Sequence, residues 1–362
     1  MRVSTLTITG FRNLEQIDVS CAPDLNLVIG ANASGKTSLL EALYFLGWGR
    51  SFRTRQPNEM INDEASLLRV VAAMRDSEGH SMPVGVERNA RTFSARVGGT
   101  TTRSLAELAR RVPALLLNPD SHRLFEDGPR QRRRFMDWGL FHAEPAFADI
   151  WRRYETALRH RNAALRSGLD DRTVDAWDGE LSIAAAKLDT LREAFCKALE
   201  GALLPFCSEI LGQVSITLNY RRGWPLEPFK HDFIGWLHAN RTQDRRQGYT
   251  RSGPHRADFA VRITGRSPSE ALSHGQQKLL IIALVLAQAM LYQQHVKDSC
   301  IMLIDDLPAE LDANNRQRIM QTLVALDLQL FITAIEPELL DTRGWPQAKK
   351  FYLKAGRLVT DL

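Results

Sequence analysis

The sequence has few cysteines and no long uninterrupted apolar run. Its four cysteines, Cys21, Cys196, Cys207 and Cys300, are scattered without a C-x-x-C pair, which argues against a disulfide framework or a cysteine zinc site. No apolar run reaches the roughly 18 residues that a membrane span requires. The N-terminus enters a strand pattern directly, without the apolar core of a signal peptide. We therefore expect a protein of the reduced cytoplasm that does not enter a membrane.

Internal repeats, heptad arrays and low-complexity segments are also lacking. A length of 362 residues allows two or three domains, and 44% hydrophobic with 25% charged residues is typical of a soluble globular protein. The net charge is only +5, but arginines cluster in two segments. They are Arg130, Arg132, Arg133, Arg134, Arg152, Arg153, Arg159 and Arg161 in the first segment, and Arg241, Arg245, Arg246, Arg251 and Arg256 in the second. Such clusters indicate either contact with nucleic-acid phosphates or solvated helix faces.

A glycine-containing motif near the start predicts a nucleotide site. Residues 30–37 read Gly-Ala-Asn-Ala-Ser-Gly-Lys-Thr and fit the phosphate-binding pattern G-x-x-x-x-G-K-[ST]. The motif lies between a strand-like run and a helix-like run, which is the context it needs. Gly30 and Gly35 allow backbone N–H groups to close around an anion. Lys36 can then reach the β- and γ-phosphates of a nucleoside triphosphate, and the Thr37 hydroxyl can bind Mg²⁺.

A second motif near the end of the chain predicts the other half of this site. The apolar run 300–304 is followed by Asp305 and Asp306. In doubly wound folds, a buried strand that ends in a carboxylate beside the P-loop completes the Mg²⁺ site. We assign Asp305 to organising the metal, and Asp306 to orienting or deprotonating the attacking water. By itself this pattern is equally typical of a strand end and turn, but together with the P-loop it becomes a strong indication of a nucleotide and Mg²⁺ site.

A third motif suggests that two copies of the chain share each nucleotide. Residues 271–278 read Ala-Leu-Ser-His-Gly-Gln-Gln-Lys and precede a long apolar helix-like stretch. Ser273 is a good N-cap and Gly275 lets a ligand approach closely, so this helix start is a second anion site. Within one molecule it would be redundant. In a head-to-tail pair, Ser273 of one copy could close over the γ-phosphate held by Lys36 of the other.

The order of elements predicts an α/β protein: a P-loop ATPase head, with a doubly wound sheet and an antiparallel β subdomain, interrupted by a helical lobe. Residues 129–212 contain little glycine or proline and repeat apolar residues at helical spacing. The expected elements are strands at 2–9, 14–20, 25–30, 67–74, 81–99, 214–220, 300–305 and 328–334, a helix at 275–293 and a hairpin turn at 355–356. The predicted head is therefore 1–118 with 213–362, and the predicted insertion lobe is 119–212.

Further motifs are spread through the chain in a fixed order. They are Phe11-Arg-Asn-Leu14, Gly128-Pro-Arg-Gln-Arg-Arg-Arg-Phe-Met-Asp-Trp-Gly139, Gly253-Pro-His-Arg-Ala-Asp258, Ala309-Glu-Leu-Asp312 and Phe331-Ile-Thr-Ala-Ile-Glu336. Leu272-Ser-His-Gly-Gln276 is similar to the L-S-G-G-Q signature of ATP-binding-cassette ATPases. Together these segments resemble the RecF family of cassette-type, SMC-like ATPases. The departures are His274 within the signature and Asp306 where transporters carry glutamate; a shorter acid there is a RecF trait and fits slow hydrolysis.

The resemblance implies roles for particular residues. The implied cofactor contacts are Gly30, Ala31, Asn32, Ala33, Ser34, Gly35, Lys36, Thr37 and Ser38, with Arg12, Ser273, Gly275 and Gln276. The implied catalytic residues are Lys36, Ser273 and Asp306, and the implied metal site consists of Thr37, Asp305 and Asn118. Asn118 stands where cassette ATPases carry a metal-contacting glutamine, although a plain turn before Pro119 fits equally well. Thr333 and Glu336 lie near the position of a γ-phosphate sensor.

The resemblance also implies a function. It is that of a DNA replication and repair ATPase that binds ATP and Mg²⁺, dimerises with ATP, binds gapped DNA and hydrolyses ATP weakly with DNA stimulation. With RecR and RecO, such a protein promotes RecA loading in recombinational repair and the SOS response. Two alternatives are a nucleotide-binding subunit of a transporter and a scaffold that binds ATP without useful turnover. The helical insertion and the arginine clusters argue against the transporter.

Overall fold

The computed structural model describes residues 1–212, 214–225, 227 and 232–359, which form two compact units. The first unit combines Met1–Ser121 with Lys278–Leu362, and the second is His122–Gln277. The chain leaves the first unit and returns to it, as an insertion requires. The return comes later than the sequence pattern suggested: it was expected at residue 213, outside the described residues, whereas the second unit extends to Gln277.

Fourteen strands are present in the described part of the chain. They are β1 (Arg2–Phe11), β2 (Leu14–Ser20), β3 (Leu25–Ile29), β4 (Leu67–Arg75), β5 (Ser81–Asn89), β6 (Phe93–Val97), β7 (Thr100–Thr102), β8 (Ala114–Leu117), β9 (Ile216–Arg221), β10 (Asp258–Ile263), β11 (Ile301–Ile304), β12 (Gln329–Ala334), β13 (Lys349–Lys354) and β14 (Arg357–Val359). The strands expected near both termini, and the hairpin between β13 and β14, are confirmed within two residues.

Eleven α-helices lie in the same described ranges. They are α1 (Lys36–Trp48), α2 (Leu105–Arg111), α3 (Arg123–Glu126), α4 (Pro129–Ala143), α5 (Phe147–Arg166), α6 (Asp171–Ile210), α7 (Phe233–Gln247), α8 (Pro268–Ala271), α9 (His274–Val296), α10 (Leu307–Glu310) and α11 (Ala313–Val324). Short 3₁₀ turns lie at Pro57–Met60, Pro119–His122, Pro254–Arg256 and Pro337–Leu339.

A mixed six-stranded sheet in the first unit carries the nucleotide motifs. Its strand order is β14-β13-β3-β12-β11-β8, and every neighbouring pair except β14–β13 is parallel. β3, β11 and β12 are buried along their whole length, as strands covered on both faces must be. Because the carboxyl ends of parallel strands lie at one edge, the loops after these three strands converge there.

The first unit also contains an antiparallel six-stranded sheet, with order β2-β1-β4-β5-β6-β7. Its strands alternate between buried and more exposed residues, which is the pattern of a sheet with one packed face. The buried face joins α1 and the mixed sheet in one core, to which Leu6 of β1, Leu43 of α1 and Leu303 of β11 all belong. The predicted antiparallel subdomain is thereby confirmed.

The second unit consists of helices α3–α8 and a two-stranded sheet of β9 and β10. The 40-residue α6 packs along α5. Arg161 of α5 is fully buried, and its guanidinium bonds to Asp178 of α6, to Asp244 of α7 at 2.8 Å and to Thr250 at 2.7 Å. A buried arginine requires such partners, because an unpaired charge in this place is strongly destabilising. The alternating stretch at 214–220 does form a strand, but β9 pairs with β10 and does not join the head sheets as expected.

Helix α9 is 23 residues long and, by length and composition alone, is apolar enough to cross a membrane. Most of its apolar stretch is buried within the protein, as in the core helix of many soluble proteins. Its burial therefore accounts for its composition.

All four cysteines are free thiols. Burial raises the pKa of each to about 12, so they remain protonated at neutral pH.

Candidate active site

The loop between β3 and α1 adopts a conformation that its sequence can accommodate only because of two glycines. Gly35, at the start of α1, has φ 110°, a region that side chains rarely adopt. A Cβ at Gly35 would lie 2.6 Å from Cδ2 of Leu14, and a Cβ at Gly30 would lie 2.4 Å from the carbonyl oxygen of Leu353. The loop is thus packed tightly from outside, and the first N–H groups of α1 are left for a ligand.

Lys36 is held across this loop. Its Nζ donates to the carbonyl oxygens of Gly30 at 2.7 Å and Ala31 at 3.0 Å, which leaves its third N–H for an anion. Burial lowers the pKa of Lys36, whereas the nearby carboxylates of Asp306 and Asp305 raise it. A phosphate would add negative charge beside this ammonium and so favour its charged form.

Three polar side chains complete the loop. Asn13 donates from Nδ2 to the carbonyl oxygen of Ala33 at 3.2 Å, and Ser38 Oγ donates to Asn13 Oδ1 at 2.8 Å. Ser34 Oγ is buried and has no hydrogen-bond partner among the described residues. A buried hydroxyl without a partner is destabilising unless a ligand supplies one. Ser34 therefore fits a phosphate in this loop.

Asp305 lies opposite the P-loop and is almost fully buried. Thr37 Oγ1 donates to its carboxylate, with distances of 3.1 Å to Oδ1 and 3.0 Å to Oδ2. Thr333 Oγ1 donates to Oδ1 at 2.8 Å. A threonine hydroxyl beside a carboxylate is the oxygen donor set that Mg²⁺ takes together with phosphate oxygens and waters. Thr37 and Asp305 could therefore hold Mg²⁺, as the sequence predicted.

Asp306 has an unusual backbone for a non-glycine residue, with φ 56° and ψ 44°. Its N–H donates to Thr333 Oγ1 at 2.7 Å. Burial raises the pKa of its carboxyl group, the charge of Asp305 adds to this, and Lys36 opposes it. A carboxylate whose proton affinity is raised in this way is a better base toward water than a free aspartate.

These groups line one cleft of about 860 Å³, a volume within the range of small-molecule sites. The cleft is lined by the loop residues 32–38, by Arg12 and Asn13, by Asp305 and Asp306, and by residues 59 and 61–64. Gly30 and Ala31 take part in the site through their carbonyl oxygens, which accept hydrogen bonds from Lys36 Nζ. The first unit thus brings together the predicted loop, Arg12 and both acids.

Arg12 is supported by a residue that the sequence reasoning missed. Glu41, on α1, is fully buried and accepts hydrogen bonds from Arg12 Nε at 3.1 Å and from Arg12 Nη2 at 2.8 Å. It also accepts from Arg53 Nη1 at 3.3 Å and from Ser51. Arg12 and Arg53 both line the cleft. The sequence held one indication of this role: Glu41 is the one acidic residue in the otherwise apolar stretch of α1, four residues after Thr37.

Asn118 has the turn role that was its alternative. Asn118 Oδ1 accepts a hydrogen bond from Ser121 Oγ at 2.9 Å, and the Asn118 N–H donates to Ser121 Oγ at 2.9 Å. Pro119 lines the cleft next to it, and Asn118 does not belong to the described lining.

The signature residues lie in the second unit and are exposed. Ser273 Oγ accepts from the Gln276 N–H at 3.3 Å, while Gln276 Oε1 accepts from the Ser273 N–H at 3.0 Å. This reciprocal pair caps the start of α9 and confirms the expected N-cap. A Cβ at Gly275 would meet no described atom within 4 Å. Any need for glycine there must come from a ligand or a second molecule.

Many of the clustered arginines form ion pairs or backbone hydrogen bonds within the second unit. Arg132 donates to both carboxylate oxygens of Asp258, at 2.8 and 3.1 Å, and Arg133 donates to the Ala257 carbonyl oxygen at 2.7 Å. Arg241 bonds to Asp175 and Asp178. By contrast, Arg159 and Arg166 of α5 are exposed, and no described carboxylate pairs with them.

Comparison with known proteins agrees with this geometry. A family model described as "RecF/RecN/SMC N terminal domain" matches residues 2–348. Among curated relatives, the DNA replication and repair protein RecF of Hydrogenovibrio crunogenus is 38% identical over 351 residues, covering 96% of each chain. The protein of that name from Pseudomonas aeruginosa strain LESB58 is 39% identical over 347 residues, covering 95% of this chain and 93% of the relative.

Solved structures show the same fold. One, "Structure of the recombination mediator protein RecF-ATPrS in RecFOR pathway", matches with a TM-score of 0.86 at 23% identity, covering 98% of this chain and 97% of that one. An SMC head bound to the C-winged helix domain of ScpA matches with a TM-score of 0.60 at 13% identity, covering 99% and 97%. The fold is therefore that of an SMC-like ATPase head, and the family match and the curated relatives show that the chain belongs to the RecF family.

Proposed function

We propose that this chain is a DNA replication and repair ATPase that binds ATP with Mg²⁺, dimerises when ATP is bound and holds DNA in that state. The observation that carries the proposal is the convergence of Lys36, Thr37, Asp305 and Asp306 in one cleft. Family membership and the names of the relatives support the repair role over the transporter alternative.

Each cleft residue has a task that follows from its position. The loop N–H groups, Ser34 and Lys36 bind and orient the phosphates, since they belong to residues that line one cleft, and Ser34 and Lys36 each have a proton left to donate. Thr37 and Asp305 would hold Mg²⁺, which when bound neutralises charge that develops on the phosphates. Asp306 orients a water molecule or accepts its proton, because its carboxyl group faces the cleft with a raised pKa.

The dimer proposal is supported by the second anion site. Ser273 is exposed and its hydroxyl accepts the Gln276 N–H, so its own proton is still available for a phosphate. An exposed, capped helix start fits a nucleotide that a second copy brings to it. Ser273, Gly275 and Gln276 would then act on the partner's ATP.

The proposed DNA contacts are the exposed arginines of α5. Arg152, Arg159 and Arg166 are spaced seven residues apart, so they lie along one face over about 21 Å at 1.5 Å per residue. Arg152 pairs with Asp149 at the surface at 3.0 Å, where such a pair is weak enough to exchange for a phosphate. Paired arginines such as Arg132 and Arg161 have no such freedom.

Salt dependence of DNA binding tests this assignment. We expect Arg159→Ala/Arg166→Ala to reduce the log–log salt slope by roughly two units, about 0.9 for each DNA phosphate that is no longer neutralised. Arg91→Ala is the matched control, because Arg91 is an exposed arginine in the turn between β5 and β6, and it should leave the slope unchanged.

Arg132→Ala should instead destabilise the second unit by on the order of 3 kcal/mol, because it leaves Asp258 partly unpaired.

The proposed partners are RecR and RecO, and the proposed outcome is RecA loading at single-stranded gaps in repair and the SOS response. The structural match described as a mediator in the RecFOR pathway supports this for its own protein, and the family relation extends it to this chain. A cytoplasmic location is proposed with it, in keeping with four free cysteines.

A direct test combines hydrolysis and size. We expect slow ATP hydrolysis that gapped DNA stimulates, and a dimer that forms with ATP and disappears without it. Asp306→Asn should retain ATP binding and lose hydrolysis. If this variant and the wild type hydrolyse equally slowly, the chain is a nucleotide-binding scaffold. If neither ATP nor gapped DNA changes the molecular size, the dimer proposal is wrong.

A further inference from the structure

One buried hydroxyl connects the two acids of the cleft. Thr333 is the penultimate residue of β12 and is fully buried. β12 lies between β3, which leads into the P-loop, and β11, which leads into Asp305. The Thr333 hydroxyl donates its single proton to Asp305 Oδ1 at 2.8 Å and accepts the N–H of Asp306 at 2.7 Å. Its hydrogen bonds therefore reach two consecutive residues with different tasks.

The bond to Asp306 acts on an uncommon backbone conformation. Asp306 has φ 56° and ψ 44°, a left-handed conformation that is uncommon for a residue with a side chain, although aspartate adopts it more readily than most. Thr333 holds the Asp306 N–H. Without this acceptor, the peptide between Asp305 and Asp306 would lose one of its restraints, and the Asp306 carboxyl group would be held less firmly.

The bond to Asp305 acts on the metal side. Asp305 Oδ1 accepts from both Thr333 and Thr37, whereas Oδ2 accepts from Thr37 alone among the described residues. Thr333 thus fixes Oδ1, while Oδ2, which accepts one hydrogen bond from Thr37, keeps a lone pair for a ligand. The N–H of Asp305 also donates to the Leu117 carbonyl oxygen at 2.8 Å, so the strand itself cannot shift to compensate for a missing hydroxyl at Thr333.

We propose that Thr333 is a positioning residue for ATP hydrolysis, whose hydroxyl fixes the metal-side acid and the water-side acid relative to each other. Thr333 is buried behind the two acids, so it acts through them and does not contact the nucleotide. This inference rests on the proposed function, because it assigns hydrolysis to Asp305 and Asp306. The phosphate contacts of the P-loop are independent of it.

An isosteric pair of variants tests the inference. Thr333→Val keeps the volume and removes the hydroxyl, and Thr333→Ser keeps the hydroxyl. We expect Thr333→Val to bind a fluorescent ATP analogue within about threefold of wild type but to hydrolyse ATP about 100-fold more slowly in single turnovers. Thr333→Ser should hydrolyse within about threefold of wild type. This separation of binding from turnover, with rescue by serine, is not expected of a residue that only packs.

Three results would overturn it. Thr333→Val could hydrolyse within about tenfold of wild type, Thr333→Ser could be as slow as Thr333→Val, or ATP binding could fall as much as hydrolysis. Thr333→Ala replaces Thr333→Val if a thermal melt shows that valine destabilises the fold. Asp306→Asn distinguishes failure of this inference from failure of the proposed function. If Asp306→Asn hydrolyses ATP slowly while Thr333→Val hydrolyses it at the wild-type rate, only this inference fails. If Asp306→Asn hydrolyses like wild type, the proposed function fails and the inference with it.

Discussion

The two helices that begin at anion-binding motifs are built in opposite ways. α1 begins after Gly35, which has no side chain to cap it, so its first N–H groups face the cleft. α9 begins after Ser273, which forms a reciprocal capping pair with Gln276 and is exposed. An uncapped start is stable only if a ligand or water satisfies its donors, whereas a capped start is stable alone. The first therefore suits a resident nucleotide, and the second suits one that arrives with another molecule.

The largest expected effect concerns the nucleotide site at the start of α1. Lys36→Ala removes the ammonium that faces the phosphates, and charge-assisted hydrogen bonds are worth about 1.5–3 kcal/mol each. We expect ATP affinity to fall at least about 100-fold in a titration with a fluorescent ATP analogue. Lys278→Ala is the matched control: this lysine forms an ion pair with Glu310 at 2.6 Å, and its removal should leave affinity unchanged. Wild-type affinity in a folded Lys36→Ala protein would refute the P-loop site.

The second half of the contrast is tested by Ser273→Arg. The added bulk lies where a second molecule would approach, and over-packing of a contact costs about 1–3 kcal/mol. We expect ATP binding by the monomer to be unchanged, and ATP-dependent self-association, measured by light scattering, to weaken roughly tenfold to 100-fold.

The control for that variant is Ser104→Arg, which removes an equivalent N-cap serine from α2. It should dimerise normally. If both serine variants fail to dimerise, the missing cap explains the result; if both dimerise, α9 does not act on the partner's nucleotide.

The two glycines sharpen the comparison. Gly35→Ala forces a side chain into a left-handed backbone beside Leu14, so we expect the first unit to be about 1–2 kcal/mol less stable and ATP binding to be weaker. Gly275→Ala meets open space in the monomer and should leave its stability equal or slightly higher. Urea unfolding measures both. A Gly275→Ala protein that dimerises like wild type would show that no second molecule approaches that backbone.

The smallest expected effect is that of Gln276→Ala. It removes one side of the capping pair, so we expect the first turn of α9 to become about 0.5 kcal/mol less stable, seen as faster amide exchange there. The exchange rates of α1 amides should not change. Equal protection of α9 in both proteins would mean that Ser273 alone caps the helix.

The sequence was sufficient for features that depend on local order. The strands, the P-loop, the buried strand before Asp305 and the N-cap at Ser273 each follow from a few consecutive residues. Contacts between distant residues were not predictable: Arg132 and Asp258 are separated by 126 positions, and only the fold makes them partners. The chain returns to the first unit later than predicted for the same reason. The alternation at 214–220 predicts a strand, but it does not tell which strand will pair with it.

The Glu41 ion-pair group has a consequence for how the family can vary. Glu41 is enclosed on α1 and depends on Arg12 and Arg53 for its charge balance, while both arginines also border the cleft. Replacing either arginine leaves a buried carboxylate short of a partner, and replacing Glu41 leaves two cations repelling each other beside the nucleotide. We therefore expect these three positions to change together among homologues, so that a lineage without Glu41 has also replaced one of the arginines.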